Sequence, residues 1–169
     1  VLEAQGVAVH LLDTGVMGEP EIEPDTTASE VASAGGTTLD HLREAADRGE
    51  AMDAMGEGAA SIVQEMHESG SLDGVLGLGG SGNTSIATEA MRALPVGVPK
   101  LMLSTMASGD VESYIGASDV AMMYSVADVE GLNQLSRTVI ANAASALVGM
   151  VSTDPDVEID DRPTIGTTM

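Results

Sequence analysis

Four uninterrupted apolar runs of strand length recur along the chain: residues 7–12 (VAVHLL), 73–78 (DGVLGL), 100–104 (KLMLS) and 119–124 (DVAMMY). Longer helical patterns separate them. A strand that is apolar throughout, rather than at every second position, is buried on both faces. Parallel sheets covered by helices provide that environment. The run 7–12 ends in a turn at Asp13-Thr14-Gly15. Residues 16–38 read as loop with a short helix over 29–33, and Thr37-x-x-Asp40 resembles a capping box opening a helix to about Arg48. Met55, Ala59, Ile62, Val63 and Met66 mark one face of a helix over 53–68. Ile86, Ala87, Ala90, Met91 and Leu94 mark another helix. Asp128 is the expected N-cap of a last, long helix with Leu132, Leu135, Val139, Ala143, Leu147 and Met150 on one stripe. Residues 152–164, acidic and containing Pro, read as a linker.

In an open parallel sheet, ligands sit beyond the carboxyl ends of the strands, where strand order reverses. Four segments are predicted to gather there: Asp13 to Gly15, Gly79 to Thr84, Thr105 to Asp110, and Tyr124-Ser125. The second carries the densest signal, GLGGSGNT over residues 77–84. Gly77, Gly79 and Gly82 match G-x-G-x-x-G, with a strand before and a helix after. The following strand ends without the acid that would hold a ribose, which weakens a nicotinamide dinucleotide. No Lys follows Gly82, which removes a Walker A loop. Ser81 lacks the last glycine of a nucleophile elbow, and His10, His41 and His67 all precede it, where a hydrolase triad needs a His downstream. No two His fall at metal-ligand spacing, and His10 reads as a core residue. Two readings remain: an anion cradle of backbone N–H groups with Ser81, Asn83 and Thr84 side chains, or a purely structural β-to-α connection.

Charge narrows the partners. The chain has 27 acidic residues against 6 basic ones, for a net charge of −21. Such a field repels nucleic acid and anionic membranes, and neither is expected as a partner. It also strains the compact state unless salt screens it, so a halophilic, high-salt cytoplasm is the expected setting. No apolar run approaches a membrane span of about 20 residues, no signal peptide is read, and a cytoplasmic location follows. There is no Cys, so thiolate chemistry is excluded. With no Trp or Phe, the 11 Met are read as core filler.

The strings GLGGSGNT (77–84), ALPVGVPKLMLSTMASGD (93–110) and SDVAMMYSVADVEGLN (118–133) closely resemble the family of the tomato mosaic virus resistance protein. So do DTGVMGEP (13–20) and AGGTTL (34–39). The resemblance implies an α/β, Rossmann-like three-layer sandwich with a mostly parallel sheet. That nucleotide-binding domain covers residues 1–151, and 152–169 hold the linker and the start of a second domain. The resemblance further implies ATP, with or without Mg, held at Gly79, Gly80, Ser81, Gly82, Asn83 and Thr84. Asp13, Gly15, Ser104, Thr105 and Ser125 join them in the same crevice. Asn83 departs from the commoner family string, which has Gly there. Family members also open with a strand and a nucleotide-contacting loop. Residues 1–6 look like the tail of the helix that follows that strand.

The expected function is therefore nucleotide binding, with the second domain of the same protein and a homo-oligomer as protein partners. The alternative is an enzyme on a small phosphorylated or carboxylated metabolite, with Asp13, Asp110 or Asp119 as acid–base or cation-binding groups.

Overall fold

The computed structural model describes residues 2–126 and 133–153. Three strands, β1 (Val75–Gly79), β2 (Lys100–Ser104) and β3 (Ala121–Tyr124), form one parallel sheet in the order β1-β2-β3. Val75 lies opposite Lys100, and Leu101 opposite Ala121. Every residue of β2 is buried, as its apolar run requires of a central strand. Before the sheet come α1 (Ala28–Ala34), α2 (Leu39–Ala45) and α3 (Arg48–Glu68). Then α4 (Ser81–Arg92) joins β1 to β2, α5 (Glu112–Ile115) precedes β3, and α6 (Gln134–Ser152) follows it.

The helices take both faces. On one, Val31, Leu42, Met55, Ala59, Ile86 and Leu94 build the main core. On the other, Ala143 and Leu147 of α6 pack on Leu101 and Leu103. The result is the three-layer α/β sandwich of Rossmann type. Met55, Met91 and Met102 are fully buried, which is the gap-filling role expected of methionine in a core without Phe or Trp.

Local chemistry sets the helix starts. Thr27 and Glu30 form a reciprocal capping box at α1. Hydrogen bonds from the Thr27 backbone and then its hydroxyl hold the Glu30 carboxyl below its usual range. Asp47 caps α3 by accepting from the Gly49 and Glu50 N–H groups. Three expectations shift. The cap of α2 is Thr38, not Thr37, and that helix stops early because Ala46 adopts a left-handed φ of 51°. The helix expected from residue 53 therefore starts afresh at Arg48. Asp128 lies outside the described residues, and Asn133 caps α6.

Two larger corrections concern the ends of the sheet. Residues 7–12 form no strand; their only ladder element among the described residues is the parallel bridge Leu12–Thr26. A cavity of about 600 Å³ separates this segment from β1, so the extended backbone has no strand within pairing distance. His10 is exposed rather than buried, with its Nε2 2.7 Å from Thr26 Oγ1. The second correction is α6, which is long and apolar enough by composition to cross a membrane, with a mean hydropathy of 1.2. Ala143, Ala144 and Leu147 bury one side of it, so it serves here as the sheet's cover.

Self-repulsion among the acidic groups has a measurable consequence. The melting temperature should rise by more than about 5 °C between about 0.1 M and 3 M KCl, because the Debye length falls from about 10 Å to under 3 Å. An unchanged melting curve across that range would refute the high-salt reading.

Candidate site at the glycine turn

The turn between β1 and α4 is built by glycine for steric reasons. Gly79 has φ 153°, and any side chain there would overlap Asn83 Cβ. Gly77, inside β1, lets α4 approach closely: a methyl group would stand 2.9 Å from Ala87 Cβ and 3.1 Å from Met91 Cε. Gly80 is the N-cap of α4, and no side chain caps that helix.

That bare start is shared only with the four-residue α5 among the described α-helices. Side chains of Thr27, Thr38, Asp47 and Asn133 cap α1, α2, α3 and α6. At α4 the first intrahelical bond runs from the Thr84 N–H to the Gly80 carbonyl, at 2.8 Å. The N–H groups of Ser81, Gly82 and Asn83 precede it and lie outside the helical ladder. No acidic residue stands in the first turn, despite the net charge of −21. The positive end of the helix dipole is thus left open to an anion.

Other site residues hold the turn in place. Thr84 is fully buried; its hydroxyl donates to Gly80 O at 2.7 Å and lies 2.6 Å from Ser104 Oγ. Ser104 is also fully buried and accepts from the Met106 N–H at 2.9 Å. These two hydroxyls weld the glycine turn to the end of β2, so they position the crevice and do not line it. Ser125 is buried, and its N–H donates to Ser104 O at 3.1 Å, drawing the end of β3 to the same point. Thr105 comes within reach of the turn: a Cβ on Gly80 would sit 3.8 Å from its Oγ1. Asp13 Oδ1 accepts from the Gly15 N–H at 2.9 Å, and both residues share the cavity beside β1 with Asn83. The first loop and the glycine turn therefore do converge at the carboxyl end of β1.

Two of the carboxylates considered for chemistry lie elsewhere. Asp110 accepts from the Glu112 N–H at 3.0 Å, in a local turn before α5, whose N-cap is Val111. Asp119 precedes β3, at the opposite edge of the sheet, and pairs with Lys100. Arg48 is the residue that sequence reasoning missed. Its Nη2 reaches Ser81 Oγ at 3.4 Å and would lie 3.3 Å from a Cβ on Gly82. Two other cations point to carbonyls instead, Arg43 to Val16 and Gly18, and Arg92 to Tyr114. The available hint was compositional, since a chain with 6 basic residues places few of them idly. The separation of 33 residues hid the pairing.

Fold and site together define a Rossmann-like α/β domain with an open, glycine-lined helix start at the carboxyl edge of its sheet. Residues 1–156 match the N-terminal domain of the uncharacterised protein family UPF0261, and the chain belongs to that family. A UPF0261 protein of Clostridium tetani is 44% identical over 169 residues, the whole of this chain and 42% of the relative. One of Mesorhizobium japonicum is 42% identical over 168 residues, 99% of this chain and 41% of the relative. The ToMV resistance protein Tm-1 of tomato (Solanum lycopersicum) is 45% identical over 104 residues, 62% of this chain and 14% of that protein. The chain thus spans less than half the length of these relatives.

Proposed function

We propose that this domain binds the phosphate groups of a nucleotide, with ATP the first choice and Mg as an accompanying cation, at the start of α4. The observation that carries the reading is the uncapped, acid-free first turn of α4 in a strongly acidic chain whose other long helices are side-chain capped. Backbone N–H groups of Ser81, Gly82 and Asn83 supply the donors, and Arg48 supplies the charge. Thr105 and the Asp13–Gly15 loop border the same crevice. A cation on the phosphates, or salt near 1 M, offsets the long-range repulsion of the surface. The second domain of the same protein is the natural protein partner, given the length of the relatives.

Gly80→Asp tests the reading with little risk to the fold. Gly80 has an ordinary φ of −86°, and a Cβ there makes no close contact. An aspartate would cap α4 and complement its dipole, keeping or slightly raising stability. It would also place a carboxylate where the phosphate binds. ATP affinity, read by calorimetry in about 1 M KCl, should fall by about 100-fold or more, and Arg48→Ala should cost roughly tenfold. Unchanged affinity in Gly80→Asp would remove the phosphate from this turn.

A further inference from the structure

The two buried hydroxyls beneath the glycine turn form a one-way relay. A hydroxyl carries one proton and two lone pairs. The Thr84 hydroxyl donates its proton to the Gly80 carbonyl at 2.7 Å. Its 2.6 Å contact with Ser104 Oγ is therefore a bond that Ser104 donates. Ser104 Oγ in turn accepts from the Met106 N–H at 2.9 Å. The order of donors is thus fixed: Met106 N–H, Ser104 O–H, Thr84 O–H, then the Gly80 carbonyl as final acceptor. Thr84 and Ser104 are both fully buried, so water does not compete at the link between them. Hydrogen bonds chained in one direction in a low-dielectric core polarise one another, by about 10–30% per bond.

The relay ends on a particular peptide. The Gly80 carbonyl also accepts from the Thr84 N–H at 2.8 Å, which fills both of its lone pairs. The same peptide unit carries the Ser81 N–H, the first of the open donors at α4. Amide resonance connects its two ends: a carbonyl that accepts strong bonds draws electrons from its nitrogen, and the N–H becomes a stronger donor. The relay begins in the short 3-10 turn Thr105–Ser108, which the Ser104 hydroxyl caps, and Thr105 borders the crevice. We propose that Thr84 and Ser104 are positioning residues for the bound phosphate. They do not touch it; they set the donor strength of the Ser81 N–H and couple it to the Thr105–Ser108 turn. The proposal rests on the phosphate reading given above. Hydroxyls that served only to satisfy buried backbone groups would affect stability and leave affinity alone. Thr88 supplies that comparison, since it is also fully buried and its hydroxyl donates to the Thr84 carbonyl at 2.7 Å. The N–H of that peptide belongs to Ser85, inside the ladder of α4, where no anion reaches it.

Calorimetric titration of ATP and of inorganic phosphate into the full-length protein, in about 1 M KCl, tests this. Thr84→Val should weaken both probes by about tenfold, Ser104→Ala by about fivefold, and Thr88→Val by less than about twofold. Thr84→Ser keeps the hydroxyl and should return to within about twofold of the wild type. Without ligand, the Gly80 carbonyl-carbon and Ser81 amide-nitrogen resonances should move upfield in the same order and return in Thr84→Ser. Equal losses in Thr84→Val and Thr88→Val would overturn the relay. So would a Thr84→Ser protein as weak as Thr84→Val, because packing rather than the hydroxyl would then be at work. Should Thr84→Val fail to fold, Ser104→Ala and Thr84→Ser decide through the same two resonances. The two failures are distinct. A wild-type protein that binds neither probe overturns the phosphate reading and this proposal with it, whereas wild-type binding that Thr84→Val leaves intact overturns the relay alone.

Discussion

Gly58→Ala should destabilise the domain by about 2–3 kcal/mol, although alanine inside a helix ordinarily stabilises by about 1 kcal/mol relative to glycine. The inversion comes from backbone contact between α1 and α3. A methyl group on Gly58 would overlap the Val31 carbonyl oxygen and stand 3.0 Å from Gly35 N. Gly35 meets the Ala54 carbonyl in the same manner from the other side. Neither obstacle is a side chain that could rotate away, so the helices must separate and open the core around Val31 and Met55, both fully buried. Gly56→Ala is the control, two residues away on the same helix. Its methyl group would meet the Glu89 carboxylate, the far end of a flexible side chain. Burial already pushes the Glu89 carboxyl above its usual range, so turning it toward water costs little. Urea midpoints should therefore drop for Gly58→Ala and stay within about 0.5 kcal/mol for Gly56→Ala. Equal losses at both positions would show that helix packing here is not set by backbone contact.

Asp119→Ala should cost about 3–5 kcal/mol, more than removing its partner. Lys100 is fully buried at the start of β2; its ammonium donates to Asp119 Oδ1 at 2.6 Å and to Pro95 O at 2.7 Å. Without Asp119 that charge stays in the core with a single carbonyl acceptor. Lys100→Met leaves the reverse situation, with Asp119, 36% exposed, able to hydrate. A loss of about 1–3 kcal/mol follows, as the Pro95 carbonyl keeps only its long bond from the Val98 N–H, at 3.4 Å. The pair also sets an acid limit. The hydrogen bond from Lys100 and then that from the Gly97 N–H hold the Asp119 carboxyl below its usual range. A lowered folded value stabilises above the unfolded value of about 3.9 and loses that contribution as pH falls through the folded one. The gap between the wild-type protein and Asp119→Ala should thus be full at pH 7 and narrow below about pH 4. A gap of constant size would contradict the ion-pair account.

The sheet was legible because its strands are apolar at consecutive positions. The run KLMLS became β2 without a shift of either end, with the lysine as its surprise. A buried Lys reads from sequence as a surface residue; only the fold brings Asp119 and Pro95 to it. The helix caps were legible to within one residue at Thr38, since Thr37 offers the same hydroxyl one position earlier. The run at residues 7–12 misled, because an apolar period cannot say whether a neighbouring strand is present to pair with. At the glycine turn the sequence showed the residue types but not their neighbours. It did not separate lining residues from supporting ones: Thr84 and Ser104 bond each other in the core. Nor could it supply Arg48, which α3 delivers from a distant part of the chain.

The central claim is that a nucleotide phosphate sits on the open start of α4. Amide resonances of the full-length protein, followed during an ATP titration in about 1 M KCl, test it residue by residue. The Gly80, Ser81, Gly82 and Asn83 amides should show the largest, saturable shifts, with inorganic phosphate moving the same amides more weakly. If ATP leaves those four amides unmoved, or shifts only residues away from the carboxyl edge of the sheet, the claim is wrong.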